Sequence, residues 1–529
     1  MHLRSPLSRL VTGCAFAISA VGCSSSVGVT RGTSAPIVTA TNTTLAGTTG
    51  NSTTSTTSNS TTSNSTTSTS DVHVGTITWS PSTDNPRIET GHLQVPVDYQ
   101  DPSKGTFDLY LARHLAKPER RIGSLLVNPG GPGFGGTDLA MQAEGVYSTT
   151  LTDQFDIVAW DPRGTGLSTP AIDCVSDYDH FFNTTDITPD TPAEHQQLVD
   201  LAKEFADACV KKNPEMAYTG TNNSARDMDS IRASLGEPKI SYFGFSYGSE
   251  LGATWATLFP NTVRAAVLDG AVDPTANLLD SNLQQSAGFE HSLNTFLSKC
   301  SADTSCKFHN GGDAGAAFDR LMLQLDDQPM PADPNRPPVT RAVALNAAGE
   351  AMYTDALWPQ LAQALDDAQH GNAKGLLALS DEYFRRNANG TWDNSLEAFQ
   401  VITCEDTTER STVAQDDADA AKFHAIAPRF SPGTTGSYFC TFFPAPKDPR
   451  VTITGNGAGP IVVVGTTGDP ATPLAGSKRM ADTLENGHLV VVDLNQHTGY
   501  DIGTCAGNAV DQYLVDPKGH VPENGTHCR

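Results

Sequence analysis

The segment KISYFGFSYGSELGATWATLF, residues 239–259, decides how the rest of the chain is interpreted. Its first residues are an apolar run that favours a strand, the motif GFSYG follows at 244–248, and residues 250–258 favour a helix. A strand, a sharp turn that carries Ser246 and a helix are the context of a nucleophile elbow, in which the serine Oγ stands exposed above a sheet. Such a turn leaves little room for side chains, which explains the two flanking glycines. The alternative, a glycine-rich turn without chemistry, stays open until a base, an acid and an oxyanion hole are found.

The pattern around this segment predicts an α/β domain that contains an insertion. ITWSP, HLQVPVDY and TFDLYLARHL alternate apolar and polar residues, as half-buried antiparallel strands do. Buried strands and helical patterns then alternate as far as residue 274, which predicts a mostly parallel sheet with helices on both faces. Residues 275–450 are dominated by helical patterns and are predicted to form an α-helical cap. The sheet domain, begun at 72–274, resumes at 451–529.

The two other members of a catalytic triad are expected in loops at the carboxyl ends of later strands, in the order acid and then base. The apolar run 461–464 ends in GTTGDP, which places Asp469 in the acid position. The run 489–492 is followed by NQH, which places His497 in the base position. His488 precedes its strand and so lies at the wrong edge of the sheet, whereas Asp269 follows the strand after the elbow and is the reserve acid. The sequence therefore predicts catalysis by Ser246, Asp469 and His497.

A loop with five glycines at 130–136, NPGGPGFGG, follows an earlier buried strand. It lacks the GK[ST] of a phosphate-binding loop, so an oxyanion loop is the better interpretation. Pro132 has no N–H, and the predicted donors are therefore the main-chain N–H groups of Tyr247 and Gly131. The parts together predict attack by the serine on a carbonyl carbon and an acyl-enzyme, with no metal or organic cofactor required.

The charge and the N-terminal residues bear on location. A net charge of −25 and a pI near 4.8 argue against nucleic-acid binding, which needs a basic face. Residues 1–22 combine two arginines with a short apolar run, as an export signal does. The AVGC that ends at Cys23 resembles a bacterial lipobox, so Cys23 is the predicted lipidation site. The similar VTGC that ends at Cys14 would leave almost no apolar region before it. An ordinary secretory signal is the alternative. Residues 23–71, rich in Ser and Thr, are predicted to be a disordered stalk that could carry O-linked sugars.

Eight cysteines remain after Cys14 and Cys23, and an even number in an exported protein predicts four disulfides. Metal binding is the rival, but there is no CxxC pair and no histidine spacing that suits zinc. Eight cysteines allow 105 pairings. The prediction joins neighbours in the sequence: Cys174–Cys209, Cys300–Cys306, Cys404–Cys440 and Cys505–Cys528.

Six segments together resemble the tripeptidyl aminopeptidase and prolyl aminopeptidase group of α/β hydrolases, especially its exported actinobacterial and mycobacterial branch. They are NPGGPGFGG, FDIVAWDPRGTGLS, GFSYGSELGATWATLFP, VRAAVLDGAVDP, GTTGDPATP and NQHTGY. The resemblance runs from about Val72 to the C-terminus and is weaker in the cap. It implies the α/β-hydrolase fold with an inserted α-helical cap, the same triad, and a peptide or protein substrate that is cleaved from its free N-terminus.

Two further expectations depend on this resemblance. Pro129 stands where the prolyl aminopeptidases have the histidine of HGGPG, which favours the tripeptidyl branch. In the group, acidic cap residues hold the α-ammonium of the substrate, and Glu405 and Asp406 are the candidates here; a solvated acidic turn is the alternative.

The resulting hypothesis is a serine exopeptidase on the outer face of the bacterial membrane or in the cell envelope, held by its lipid or shed. An esterase, lipase or thioesterase of the same fold is the first alternative, because the fold does not choose the acyl group. A surface binding protein with an idle hydrolase body is the second.

Overall fold

The computed structural model describes residues 75–184, 186–433 and 438–529. The predicted export signal, the lipidation site at Cys23 and the stalk lie outside these residues. None of the helices in the described ranges is long and apolar enough to cross a membrane.

In the described part of the chain, ten strands form one sheet in the order β1-β2-β3-β5-β4-β6-β7-β8-β9-β10. The strands are β1 (Thr78–Pro81), β2 (Ile88–Pro96), β3 (Thr106–His114), β4 (Gly123–Asn128), β5 (Phe155–Trp160), β6 (Ile240–Phe245), β7 (Val263–Asp269), β8 (Ile461–Thr466), β9 (Gly487–Val492) and β10 (Thr526–Cys528). The pairs β1–β2, β2–β3 and β3–β5 are antiparallel, and every pair from β5 to β10 is parallel. The sequence predicted the antiparallel start and the parallel centre but missed the short edge strand β10.

The burial of the strands follows their place in the sheet. Every residue of β4, β5, β6 and β8 is buried, because helices cover both faces of a parallel sheet. In β2, from Gly91 to Val95, buried and exposed residues alternate, as in a strand with one solvated face. The parallel centre is therefore the rigid layer that positions the loops at its carboxyl edge.

Fifteen α-helices lie in the described residues, and seven of them, α7 to α13, come between β7 and β8. The helices are α1 (Thr137–Met141), α2 (Ala143–Val146), α3 (Thr149–Gln154), α4 (Pro192–Lys212), α5 (Thr221–Ser234), α6 (Tyr247–Leu258), α7 (Leu278–Ala302), α8 (Ala314–Asp327), α9 (Arg341–Met352), α10 (Trp358–Gln369), α11 (Lys374–Tyr383), α12 (Ser395–Asp406), α13 (Val413–Ile426), α14 (Leu474–Thr483) and α15 (Cys505–Val515).

The helices α7 to α13 interrupt the sheet in sequence but not in space. Strands β7 and β8 are hydrogen-bonded neighbours, with Ala266 opposite Ile461, although almost two hundred residues separate them in the chain. Helices α7 to α11 bury their own apolar cluster, which includes Leu293, Phe318 and Leu361. Two other clusters cover the faces of the sheet. The helices between β7 and β8 are therefore a cap with largely its own core.

The structure pairs the eight cysteines of the described ranges as their order in the sequence predicts. The disulfides are Cys174–Cys209, Cys300–Cys306, Cys404–Cys440 and Cys505–Cys528. The third joins α12 to the segment that returns to the sheet, and the fourth joins α15 to β10.

Candidate active site

Ser246 lies at the turn between β6 and α6, in a backbone conformation with φ 55° and ψ −126°. A non-glycine residue with positive φ is strained and needs surroundings that hold it. At Gly244 a Cβ atom would lie 2.3 Å from the carbonyl oxygen of Gly248, so this position requires glycine. The Ser246 N–H donates to the carbonyl oxygen of Asp269, at 2.8 Å, which ties the turn to the next strand. The predicted elbow is present, with its serine at the carboxyl edge of the sheet.

Asp469 and His497 come together at the same edge, after β8 and β9. The His497 Nδ1 atom lies 2.8 Å and 3.0 Å from the two carboxylate oxygens of Asp469, and both side chains are buried. The carboxylate also accepts from the main-chain N–H groups of Ala471, Thr472 and Thr498. These donors fix the orientation of the carboxylate, which in turn orients the imidazole.

The other imidazole nitrogen belongs to a side chain that lines the same cavity as the serine. His497 Nε2 is buried and has no hydrogen-bond partner among the described residues. Ser246 and His497 line one cavity of about 140 Å³, which is called the catalytic cavity below. Gly270 has φ 65°, and a Cβ atom there would lie 3.2 Å from His497 Cε1. The geometry thus leaves Nε2 available to accept the proton of an attacking hydroxyl.

A contact from the cap fixes the main chain of the base. The N–H of His497 donates to the carbonyl oxygen of Tyr353, at 2.8 Å, just after α9. Next to it, Gln496 and Thr354 form an isolated antiparallel bridge. The Tyr353 ring also lies edge-on to the imidazole, with ring centroids 5.6 Å apart. The position of the base therefore depends on the cap as well as on the sheet.

The rival acid, Asp269, has a different role. Its two carboxylate oxygens accept from the main-chain N–H groups of Gly499 and Tyr500, each at 2.7 Å. Burial raises the pKa of this carboxyl to about 7. It thus holds the loop that carries His497, while Asp469 contacts the imidazole. The rival base His488 lies in β9, where its Nδ1 atom is 2.9 Å from the carbonyl oxygen of Pro522.

The glycine loop after β4 passes directly over the elbow. A Cβ atom at Gly130 would lie 2.8 Å from Ser246 Cβ, and the Gly130 N–H is already donated to Asn128 Oδ1. Gly131 lines the catalytic cavity beside the serine. Tyr247 is the first residue of α6, so no earlier helical carbonyl accepts its N–H. Gly131 and Tyr247, which carry the two predicted donors, thus line the same groove as Ser246, as residues of an oxyanion hole must.

The structure separates the two acidic residues that were expected to bind substrate. Asp406 lines a groove of about 390 Å³ that also contains Ser246, but it accepts hydrogen bonds from Thr221 N and Oγ1 at 2.7 Å and 2.6 Å. Burial raises the pKa of Asp406 to about 7. Glu405 is buried and lines neither the groove nor the catalytic cavity. Successive helical residues point about 100° apart, which accounts for only one of the pair lining the groove, and the substrate-binding role of Glu405 stays a prediction.

A second acidic pair, which the sequence analysis missed, lies in the catalytic cavity. Glu350 on α9 and Glu382 on α11 line this cavity together with Ser246 and His497. Glu350 is only 4% exposed, and its Oε1 atom has no hydrogen-bond partner among the described residues. Burial and then the charge of Glu382 raise the pKa of Glu350. The available signal was the helix sequence RAVALNAAGEAM, in which Glu350 is the one acidic residue of an otherwise largely apolar stretch.

Comparisons with known proteins agree with this geometry. Residues 123–309 match the family model described as alpha/beta hydrolase fold, and residues 427–528 match that of the TAP-like proteins. The serine protease Hip1 of Mycobacterium tuberculosis is 35% identical to this chain, and the alignment covers 85% of this chain and 91% of the Hip1 chain. Carboxylesterase B of the same organism is 34% identical over 82% of this chain and 85% of its own. The tripeptidyl aminopeptidase of Streptomyces lividans is 29% identical over 81% of each chain.

The first matched region extends past α7 into the cap, and the second begins just after α13; together they contain the elbow, the acid and the base. The similarity to whole relatives extends through the cap as well. The chain therefore belongs to the α/β-hydrolase family, in the branch of serine peptidases that includes the tripeptidyl aminopeptidases.

Proposed function

We propose that this protein is an exopeptidase that binds the free amino terminus of a peptide and releases a short N-terminal peptide, most simply a tripeptide. The observation that carries the proposal is Glu350 in the cavity of Ser246, whose buried carboxylate oxygen Oε1 has no hydrogen-bond partner among the described residues. A buried carboxylate is costly unless a cation or a donor meets it. The α-ammonium of a peptide is a cation that a substrate brings into this cavity.

The reaction follows from the site. His497 Nε2 removes the proton of Ser246 Oγ as that oxygen attacks the carbonyl carbon, and Asp469 stabilises the imidazolium. The oxyanion forms between the N–H groups of Tyr247 and Gly131, a type of contact whose loss costs about 10² to 10³ in rate. The imidazolium then protonates the leaving amine. Water attacks the acyl-enzyme by the same route, and the N-terminal peptide leaves as a free acid.

Recognition of the amino terminus belongs to the catalytic cavity rather than to the wider groove. In the groove, Glu250 pairs with Arg450, and Asp406 is hydrogen-bonded to Thr221, so both carboxylates have partners. Glu350 and Glu382 place two acidic groups in the cavity of the nucleophile, and Arg385, the basic residue of the same lining, is paired with Asp393. An ammonium bound there fixes how many residues separate the amino terminus from the scissile bond. This counting is what distinguishes an exopeptidase from an endopeptidase.

The experiment compares free and acetylated peptides of the same sequence. The protein should cleave tripeptidyl amides with free amino ends, and acetylation should lower kcat/KM by at least about 100-fold, because it removes the cation that the buried acids attract. Release of single residues alone would assign the aminopeptidase activity instead. Glu350→Gln should raise KM for the free peptide and leave its kcat nearly unchanged. Asp327→Asn, which removes an exposed acid of the cap, is the control.

A carboxylesterase is the second candidate, because one relative bears that name and carries 34% identity over most of the chain. An ester needs no ammonium, so its hydrolysis should not depend on Glu350. Hydrolysis of p-nitrophenyl esters with no cleavage of any peptide would favour this candidate.

We also propose that the catalytic body is exported and tethered to the outer face of the membrane by a lipid on Cys23. The four disulfides support an oxidising compartment, and AVGC supports lipidation. The contact with the membrane is then through the anchor only, and the partner is a peptide or protein with a free N-terminus. Cys23→Ser should move the expressed protein from the detergent phase to the aqueous phase in Triton X-114 partitioning. An unchanged distribution would contradict the lipid anchor.

A further inference from the structure

A third compartment adjoins the catalytic cavity and differs from it in chemistry. This compartment, here called the aromatic chamber, has a volume of about 360 Å³ and lies between α4, α12 and the loop before α4. Its apolar walls include Phe182, Leu198, Leu201, Phe205, Phe384 and Phe439. Phe182, Leu198, Leu201 and Phe439 are only half-buried, so apolar surface faces the open space. Surface of this kind is stabilised when an apolar group covers it.

The aromatic chamber shares walls with the catalytic cavity. Gln285, Tyr383, Leu396 and Phe399 line both. Phe399 also lines the wider groove beside Ser246, so it stands where the three spaces meet. A group that enters the aromatic chamber is therefore next to the peptide segment that lies between the serine and the acidic pair.

The polarity of the walls selects what enters. The described residues that line the aromatic chamber include no Asp, Glu, Lys or Arg, whereas acidic side chains line both the groove and the catalytic cavity. A cavity of roughly 150 Å³ lined by Leu, Ile and Phe is enough to hold a benzene ring. The aromatic chamber has room for a large aromatic or aliphatic group and offers it no charged partner.

We propose that the aromatic chamber binds a bulky apolar side chain of the peptide segment that the enzyme releases. The substrates are then peptides with an aromatic or large aliphatic residue on the amino side of the scissile bond. This inference rests on the proposed exopeptidase function for the source of the group; a long acyl chain of an ester has the same chemistry and would occupy the same space.

The test uses a variant that fills the aromatic chamber from its far side. Ala202 on α4 lines the aromatic chamber but not the catalytic cavity, so Ala202→Trp leaves the triad and the acidic pair untouched. Ala193 lies near the start of the same helix and is exposed, and Ala193→Trp is the matched control. Tripeptidyl amides with free amino ends are compared: the all-alanine substrate and those with phenylalanine at each of the three positions.

The wild-type protein should prefer phenylalanine at one position by about tenfold or more in kcat/KM, the scale of burying a large apolar side chain. Ala202→Trp should lower kcat/KM for the preferred phenylalanine substrate by about tenfold more than for the all-alanine substrate, whereas Ala193→Trp should leave both values unchanged. Absence of the preference in the wild type, or its survival in folded Ala202→Trp, would overturn the inference. If Ala202→Trp fails to fold, Leu198→Gln serves, and it should reduce the same preference.

Two further results separate this inference from the proposed function. Cleavage of long-chain p-nitrophenyl esters but of no peptide, with the chain-length preference lost in Ala202→Trp, would support apolar binding in the aromatic chamber and refute the exopeptidase function.

Binding is measured without turnover in Ser246→Ala, by titration calorimetry with the free tripeptides. Tighter binding of a phenylalanine peptide than of trialanine, lost in Ser246→Ala combined with Ala202→Trp, would support the inference. Equal affinities would overturn it whatever the activity.

Discussion

Replacing Asp269 by asparagine tests whether this residue positions the base. The carboxylate accepts from two main-chain N–H groups of the loop after β9, on Gly499 and Tyr500. The main-chain carbonyl oxygen of Asp269 accepts from the N–H of Ser246. One residue therefore connects the nucleophile's turn to the base's loop. An asparagine side chain has one acceptor oxygen and one NH2 group, so Asp269→Asn leaves one buried N–H facing another donor.

The cost can be worked from this count. A buried donor left without an acceptor costs about 1–3 kcal/mol. The loop either bears this cost, which lowers the free energy of unfolding, or shifts to relieve it. Because His497 lies two residues before Gly499, a shift would move the imidazole relative to Ser246. If the same 1–3 kcal/mol appears in the barrier, the rate falls about 5-fold to 150-fold.

Two measurements are needed, because the cost divides between stability and rate. Guanidinium unfolding measures the first, and the rate at which a fluorophosphonate probe labels Ser246 measures the second. Asp501→Asn makes the same chemical change in the same loop, where the side chain is half-buried, and should leave both values unchanged. If Asp269→Asn unfolds and labels as the wild type does, the positioning role assigned to Asp269 is wrong.

Three other predictions follow from named contacts. The pKa of Glu350 is raised by burial, so its charged form appears only at higher pH; the ratio of kcat/KM for a free tripeptidyl amide to that for p-nitrophenyl acetate should therefore rise with pH. Matching pH profiles for the two substrates would contradict this. Gly244→Ala should cost about 1–3 kcal/mol or more in thermal unfolding, because its Cβ atom meets the Gly248 carbonyl at 2.3 Å. Replacing Cys505 and Cys528 by alanine opens a loop with a sequence separation of 23 and should cost about 3 kcal/mol, and an unchanged guanidinium midpoint would argue against it.

Much of the sheet domain could be predicted from the sequence because its signals are local. An apolar run followed by a glycine-rich turn marks the end of each central strand, and the carboxyl ends of parallel strands meet at one edge. The positions of Ser246, Asp469 and His497 after their strands were therefore enough to predict that they converge. The edge strand Thr526–Cys528 gave no such signal, because three residues are too short for a pattern.

The cap could be recognised as helical, but its contribution to the site could not be predicted. Glu350 and Glu382 lie on two helices more than thirty residues apart in the sequence, and only the packing of those helices brings both to Ser246. Adjacency in the sequence drew attention to Glu405 and Asp406 instead, although helical geometry turns one of them away from the groove. Helical periodicity describes which face of a helix is buried, and it contains no information on which other helix that face will meet.

The hydrogen bond from His497 N to the Tyr353 carbonyl restricts how the cap can open. If the cap swung away as a rigid lid hinged at the opposite side, this bond would break or the general base would travel with the lid. An open state of that kind would be inactive, because His497 would no longer be positioned to accept the proton of Ser246. Under the proposed exopeptidase function, a polypeptide would have to reach Ser246 without such an opening, so a folded protein with a short, inaccessible N-terminus would be cleaved more slowly than an unfolded chain.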